Sequence, residues 1–299
     1  MRRPGIPLAL ALALAVSACG SGVPDAAHGI RAVAAENFWG SIAAQLAGRQ
    51  AGVQSIITNP AVDPHSYEPT AGDARTLATA QFVLINGVGY DPWAQRLLSA
   101  SPASGRIVLD VGHLLGLRQG ENPHRWYDPA DVKRVAQAIT ADLQRLHPQA
   151  RNGYRRRYDS FLRTGLAPYD RLIAAIRDRY AGVAIGASES IFAPLSAALG
   201  LRLITPASFM NAISEGSEVS AQDVLRTQRQ ITSRQIKVWI YNAQNATPAI
   251  QHLNSLARAQ HIPIVTITET LSPATASFEQ WQVTQLERLR RALRDATGR

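Results

Sequence analysis

The sequence predicts an α/β protein of two lobes, each with a parallel-type sheet and flanking helices, joined by one long connector helix. Short apolar runs alternate with stretches of helical periodicity from residue 30 to the C-terminus, as in sheets with crossover helices. A single amphipathic stretch over 148–181 interrupts this alternation. About 280 residues follow the first apolar segment, which is enough chain for two cores.

The first residues predict an export signal. A short positive region, Met1–Pro4, precedes an apolar run from Ile6 to Val16 and a small-residue site at Ser17–Gly20. The apolar run is about ten residues long, and a membrane-spanning helix needs about twenty. We therefore expect residues 1–18 to be a signal peptide that is removed on export.

Cys19 is predicted to carry a lipid. It is the only cysteine of the sequence, so the chain cannot form an internal disulfide. Val16–Cys19 resembles the lipobox of bacterial lipoproteins, in which the cysteine thiol is acylated and the cysteine becomes the new N-terminus. Residues 19–29 are rich in small residues and are expected to form a flexible tether to the outer face of the cytoplasmic membrane. The alternative is an ordinary secretory signal with an incidental cysteine.

The charge pattern argues against a nucleic-acid partner. The formal net charge is +9, and nearly all the positive charge is arginine, since Lys133 and Lys237 are the only lysines. The arginine-rich stretches 151–163 and 288–294 are expected to be solvated helix faces. They lack the base-reading or aromatic elements that a nucleic-acid site requires. Contact with an anionic membrane surface is the alternative use of this charge.

The first lobe is expected over residues 30–147. Its candidate strands are the short apolar runs Ile30–Ala35, Val53–Thr58, Phe82–Asn86 and Ile107–Asp110. Its candidate helices are Phe38–Ala47, Asp73–Ala80, Trp93–Ser99 and a helix that begins at Pro129. Asp128 is placed to cap the last of these, with Pro129 in the first turn.

The connector is expected over residues 148–181. Its apolar residues between Tyr154 and Tyr180 recur at spacings of three and four, which marks one face of a helix. Gly165 and Pro168 predict a bend or an interruption. A long helix between two strand-rich halves is typical of a rigid link between lobes.

The second lobe is expected over residues 182–299 and repeats the plan of the first without a recognisable sequence repeat. Its candidate strands are Val183–Ala187, Leu201–Thr205, Lys237–Tyr241 and Ile264–Thr268. Its candidate helices are Phe192–Leu199, Ser220–Ser233, Thr247–Gln260 and Phe278–Arg294.

Two of the seven histidines stand out by their setting. His65 lies within Asp63–Pro69 after the second candidate strand, and His124 lies within Asn122–Pro129 before a helix. Each follows a proline in a polar loop on the side of the sheet where the strands end, which is where open parallel sheets bind ligands. The other histidines are expected in the tether, at helix ends or on the surface, with an accessory-ligand role as the alternative for His113.

Two glutamates follow strands of the second lobe. Glu189 comes after the first of these strands and Glu269 after the last. Buried carboxylates are costly without a cation, so two imidazoles from one lobe and two carboxylates from the other predict a cleft site for a transition-metal dication. For Glu189 alone, capping of the next helix is the alternative. The segment Tyr241–Gln244 is expected to hydrogen-bond the Glu189 loop.

These motifs resemble a known family. Asp63–Pro69, Asn86-Gly87, Asn122–Pro129 and Thr268–Thr270 occur in the order found in the substrate-binding proteins of manganese- and zinc-importing ABC transporters. The resemblance spans essentially the whole mature chain. It implies two α/β lobes joined by a rigid helix, with one metal ion between the lobes. The ligands that it implies are His65, His124, Glu189 and Glu269.

The ligand set leaves manganese and zinc open. Many zinc-type members of the family have a third histidine where this chain has Glu189, whereas manganese-type members commonly have glutamate. Aspartate is frequent at the position of Glu269. The segment 111–121 is short and lacks the His-rich loop of many zinc-type members. Oxygen-rich ligand sets suit manganese, but the Irving–Williams order lets zinc bind the same site more tightly.

The function that the resemblance implies is metal capture and not enzymatic catalysis. We expect a monomeric, lipid-anchored receptor that binds Mn²⁺ or Zn²⁺ outside the cell and delivers it to an ABC permease and its ATPase. Glu215 and Glu218 are expected in a solvated loop, with lining of the cleft or contact to the permease as the alternatives. A metal-dependent hydrolase is one rival interpretation, although no separate base motif accompanies the ligands. A surface adhesin or metal buffer of the same fold is another.

Overall fold

The computed structural model describes residues 29–299. The predicted signal peptide, the predicted lipid site at Cys19 and the tether up to residue 28 lie outside the described residues. Within the described range, none of the helices combines the length and the apolar composition needed to cross a membrane.

The first lobe is a four-stranded parallel sheet with helices packed on it. Its strands are β1 (Ile30–Glu36), β2 (Ala51–Ile57), β3 (Phe82–Ile85) and β4 (Ile107–Asp110), in the spatial order β2-β1-β3-β4. Its helices are α1 (Asn37–Ala47), α2 (Ala71–Thr79), α3 (Pro92–Ala100), α4 (Val111–Leu115) and α5 (Pro129–Leu146). Asp128 caps α5 as predicted, since its Oδ1 accepts the backbone N–H of Ala130 at 2.9 Å.

The second lobe repeats this arrangement. Its strands are β5 (Ala184–Ala187), β6 (Arg202–Leu203), β7 (Val238–Asn242) and β8 (Ile264–Ile267), all parallel and in the order β6-β5-β7-β8. Its helices are α8 (Ala193–Ala198), α9 (Ala207–Ser214), α10 (Ala221–Thr232), α11 (Pro248–Ala259) and α12 (Phe278–Thr297). The predicted α/β architecture of two parallel sheets is confirmed, and the two sheets have the same strand order.

The connector over 148–181 is helical and has one interruption. It consists of a 3-10 turn at Pro148–Ala150, α6 (Arg151–Ser160), a π-helical turn at Phe161–Gly165 and α7 (Ala167–Tyr180). The break falls where Gly165 and Pro168 predict an interruption. There the backbone N–H of Leu166 donates to the carbonyl of Phe161, five residues earlier, at 2.8 Å.

The two lobes share a core and several direct hydrogen bonds. One hydrophobic cluster includes Trp39 of the first lobe, Tyr154 of the connector and Trp239 of the second lobe. Across the interface, Leu271 N donates to Asn37 Oδ1 at 3.1 Å and Phe278 N donates to Ser41 Oγ at 3.0 Å. Because the cluster is continuous, the domain boundaries predicted at 147/148 and 181/182 stay predictions.

Candidate metal centre

The four predicted ligands all lie where strands of the two sheets end. His65 sits in a 3-10 turn, Pro64–Ser66, beyond β2, and His124 lies in the loop between α4 and α5. Glu189 follows β5 and Glu269 follows β8. His124, Glu189 and Glu269 are fully buried, whereas the His65 side chain keeps 21% of its surface exposed.

Three of these side chains form one compact group. Nε2 of His65 lies 3.4 Å from Nε2 of His124 and 3.4 Å from Oε2 of Glu269. Nε2 of His124 lies 3.7 Å from the same oxygen. A point equidistant from the three atoms is about 2.0 Å from each, which matches the zinc–nitrogen and zinc–oxygen bond lengths of about 2.0–2.2 Å. The three atoms are therefore spaced closely enough to bind one metal ion together.

His124 is held in the tautomer that a metal ligand needs. Oδ1 of Asn122 accepts from Nδ1 of His124 at 2.8 Å and from its backbone N–H at 3.0 Å. With its proton on Nδ1, the imidazole presents a free lone pair on Nε2. Burial lowers the pKa of His124, which favours the neutral, metal-binding form.

Asn86 and Asn122, both of the first lobe, fix the His124 loop. Nδ2 of Asn86 donates to the carbonyl of Pro123 at 3.0 Å, and Oδ1 of Asn86 accepts from Trp39 at 3.0 Å. Nδ2 of Asn122 donates across the interface to the carbonyl of Ser190 at 2.8 Å. The asparagines of the two quoted motifs thus position the predicted ligand His124.

His65 is the partly exposed side chain of the centre and lies between it and solvent. Asp63 Oδ1 accepts the His65 backbone N–H at 2.9 Å and fixes the turn. Burial lowers the pKa of His65, but the negative charge of Glu269 outweighs it and raises that pKa to about 9. His65 also lines a cavity of about 310 Å³, together with the exposed Glu121 and Glu215.

Glu269 accepts a hydrogen bond on each carboxylate oxygen. Oε1 accepts from Nδ2 of Asn242 at 2.9 Å, and Oε2 accepts from the hydroxyl of Tyr90 at 2.6 Å. Burial raises the pKa of Glu269, but His65 and His124 outweigh burial and hold that pKa well below its usual range. Glu269 is therefore the negative charge of this centre.

Glu189 lies beside the compact group and is bound by amides. Its Oε1 accepts from Asn242, as expected for the Tyr241–Gln244 segment, and its Oε2 accepts from Nδ2 of Asn245 at 3.0 Å. Burial and the charge of Glu269 raise the pKa of Glu189 to about 8. Its side chain makes no capping hydrogen bond to the following turn, so nothing favours the helix-cap interpretation. Its role as the fourth ligand stays a prediction.

The remaining candidates are peripheral. His113, Glu215 and Glu218 are exposed, and of these only Glu215 lines the cavity next to His65. The residues that sequence analysis missed are Tyr90 and Asn245, whose side chains reach the carboxylates of Glu269 and Glu189 from distant parts of the chain. The only sequence signal for Tyr90 is its place four residues after Asn86, at the end of β3.

Comparison with known proteins points to one family. The model of the family described as "Zinc-uptake complex component A periplasmic" matches residues 32–292. The chain is 25% identical over 165 residues to the manganese-binding lipoprotein MntA of Halalkalibacterium halodurans, covering 51% of this chain and 53% of that protein. It is 25% identical over 191 residues to the zinc-binding protein TroA of Treponema pallidum, covering 60% and 59%. These matches span about half the length of the curated relatives.

Solved structures share the fold. The periplasmic zinc-binding protein TroA of Treponema pallidum superposes with a TM-score of 0.74 at 20% identity, covering 89% of this chain and 99% of that one. The protein FpvC of Pseudomonas aeruginosa in complex with Mn²⁺ superposes with a TM-score of 0.71 at 19% identity, with the same coverage. At these identities the likeness establishes the two-lobe architecture.

Proposed function

Because this chain belongs to the zinc-uptake complex component A family, we propose that it is the extracytoplasmic substrate-binding protein of an ABC importer. It captures a divalent transition metal, manganese or zinc, between its two lobes and delivers it to the permease. The names of the relatives support both metals, since one is a manganese-binding and another a zinc-binding protein.

One observation carries the proposal. Nε2 of His65, Nε2 of His124 and Oε2 of Glu269 lie 3.4–3.7 Å apart, at the interface of the lobes. Three donor atoms at this spacing, one of them on a buried carboxylate with a lowered pKa, form a site for a single dication. We propose Glu189 as the fourth ligand. A small shift of its carboxylate away from Asn245 and toward the histidines would complete the set of four ligands.

The mode of release follows from the packing of the lobes. They share one hydrophobic cluster and are joined by hydrogen bonds that Asn37 and Ser41 accept and by one that Asn122 donates. A wide hinge motion would break all of these contacts. We infer that release to the permease involves movement of the loops that carry His65 and Glu189, without separation of the lobes.

We propose that the protein is anchored to the membrane by a lipid on Cys19. Cys19 lies outside the described residues, and the lipobox-like sequence supports acylation there, as does the description of one relative as a lipoprotein. We propose a monomer tethered to the outer face of the cytoplasmic membrane, working with a permease and its ATPase. Mass analysis of the mature N-terminus tests the anchor: a peptide that begins at Cys19 without a diacylglycerol group would contradict it.

Metal titration tests the binding function. We expect the protein lacking residues 1–19 to bind one Zn²⁺ or Mn²⁺ per chain, and the His65→Ala and His124→Ala variants to lose most of that affinity. His252→Ala is the matched control, because His252 is exposed on α11, away from the centre. Equal affinity in wild type and His65→Ala would show that the site is assigned wrongly. Neither hydrolysis nor adhesion gains support from a specific observation.

A further inference from the structure

Tyr90 contacts the ligand oxygen of the metal centre. Its hydroxyl donates to Oε2 of Glu269 at 2.6 Å, across the lobe interface. This is the oxygen that faces both His65 and His124, at 3.4 and 3.7 Å. A metal ion bound by the two imidazoles would therefore share this oxygen with the Tyr90 hydroxyl.

The position of Tyr90 is fixed by its own turn. Gly87, Val88 and Gly89 all have positive φ angles, of 74, 55 and 78°, and a side chain on Gly87 would collide with Asp110. The carboxylate of Asp91 closes this turn by accepting the backbone N–H of Gly87 at 2.8 Å. The constrained backbone of this turn thus places the Tyr90 hydroxyl at the centre.

Aromatic packing holds the ring of Tyr90. It is 1% exposed and packs edge-on against His65, with ring centroids 4.7 Å apart, and against Trp126 at 5.0 Å. The hydroxyl therefore has little freedom to turn away from Glu269.

The other oxygen of Glu269 is held separately. Nδ2 of Asn242 donates to Oε1 of Glu269 at 2.9 Å and also to Oε1 of Glu189. The Asn242 amide thus holds one oxygen of each carboxylate, Oε1 of Glu269 and Oε1 of Glu189. Together, Tyr90 and Asn242 prevent the Glu269 carboxylate from rotating to offer both oxygens to one ion.

The number of carboxylate oxygens available separates the two candidate metals. Zinc is satisfied by four ligands in a tetrahedron, which two imidazoles and one oxygen from each glutamate would supply in the proposed site. Manganese prefers octahedral, oxygen-rich coordination, so it needs additional oxygens from the carboxylates or from water. Each carboxylate oxygen that is withheld removes a donor that manganese needs and zinc does not.

We propose that Tyr90, acting with Asn242, restricts Glu269 to a single metal-binding oxygen and is thereby a specificity-determining residue that favours zinc over manganese. This inference rests on the proposed function, because it concerns the ion held by the same centre. It adds a residue to the centre that is not one of the four predicted ligands.

The test compares Zn²⁺ and Mn²⁺ affinities of the full chain in wild type and Tyr90→Phe. Loss of the hydroxyl is expected to lower the zinc-to-manganese affinity ratio on the order of tenfold, the scale of one hydrogen bond to a charged group. Co²⁺ serves as a spectroscopic probe: wild type should show the intense visible bands of four-coordinate Co²⁺, and Tyr90→Phe the weaker bands of higher coordination. Asn242→Ala should shift both readouts in the same direction.

Tyr169→Phe is the matched control. Tyr169 is equally buried, and its hydroxyl has no hydrogen-bond partner among residues 29–299, so the variant should keep the wild-type ratio and spectrum. Unchanged ratios and spectra in both Tyr90→Phe and Asn242→Ala would overturn the inference while the proposed function stands. Failure of the wild type to bind any of the three ions would overturn both.

Discussion

Nε2 of His65 lies 3.4 Å from Oε2 of Glu269, so an imidazole of the first lobe faces a carboxylate of the second inside a buried centre. The charge of Glu269 outweighs the effect of burial and raises the pKa of His65 to about 9. At neutral pH this histidine therefore holds a proton in the metal-free protein. A dication must displace that proton, which couples metal binding to pH.

Metal binding at pH 7.5 should release at least one proton per ion. The protonated form of His65 prevails below about pH 9, so the apparent affinity should rise by up to about tenfold per pH unit over the range approaching that value. Calorimetry in two buffers of different ionisation enthalpy measures the protons released. The Glu189→Gln variant shows how many of the released protons come from Glu189, whose pKa is raised to about 8. Binding of Zn²⁺ without proton release would contradict the prediction.

Glu36→Gln should stabilise the metal-free protein at pH 8 but not at pH 4.5. Glu36 is fully buried at the end of β1, and neither carboxylate oxygen has a hydrogen-bond partner among the described residues. Burial and the charge of Asp91 raise the pKa of Glu36 well above its usual value. A raised pKa in the folded state means that stability is full below the unfolded pKa and is lost as pH rises, at up to about 1.4 kcal/mol per pH unit.

Denaturant unfolding in the presence of a chelator measures this difference. The free energies of unfolding of wild type and Glu36→Gln should converge near pH 4.5 and separate at pH 8. Glu68→Gln, at an exposed position, controls for the loss of one carboxylate and should follow the wild type at both values. Parallel curves for Glu36→Gln and wild type would show that Glu36 is ionised at neutral pH.

Asn122→Ala should weaken metal binding by about 10- to 100-fold. The change removes the acceptor that holds the proton on Nδ1 of His124 and the cross-lobe hydrogen bond to Ser190. The imidazole is then free to rotate and to change tautomer. Titration of Zn²⁺ checks the affinity, with Asn152→Ala on the exposed face of α6 as the control. If both variants bind as the wild type does, Asn122 has no part in positioning the ligand.

Glu269→Gln should cost more metal affinity than Glu189→Gln. Glu269 supplies the oxygen that already faces both histidines, whereas Glu189 lies outside the compact group and must move to bind an ion. X-ray absorption of the zinc-loaded variants counts the ligands. Loss of one oxygen in Glu189→Gln would establish the fourth ligand, and an unchanged shell would remove Glu189 from the set.

Local sequence patterns predict the strands and the site histidines because both depend on short-range features. Apolar runs bounded by polar loops give all eight strands to within a few residues, except that β6 is only two residues long. His65 and His124 are recognisable because a proline and an aspartate or asparagine precede each of them and shape the loop. The short helices α4 and α9 escape prediction, since each has too few turns to establish a period.

Contacts that join distant segments cannot be read from such patterns. The hydroxyl of Tyr90 meets Glu269 across 179 positions of sequence, and only the docking of the two lobes brings them together. Asn242 was expected near Glu189, but its second hydrogen bond, to Glu269, depends on the neighbouring strands β7 and β8 lying in register. Tertiary packing, and not residue type, therefore determines which side chains surround the predicted ligands.

The π-helical turn at Phe161–Gly165 rotates the residues of α7 about the helix axis relative to those of α6. A turn of this kind holds one residue more than a regular α-helical turn, and each residue advances the helix by about 100°. The side of the helix that α6 packs on α1 and α5 is thus rotated before α7 packs on α12. Deleting one residue of this turn would restore a continuous α-helix and swing the apolar side of α7, which includes Tyr169 and Ile176, toward solvent. The extra residue thus lets one interrupted connector pack on α1 and α5 through α6 and on α12 through α7.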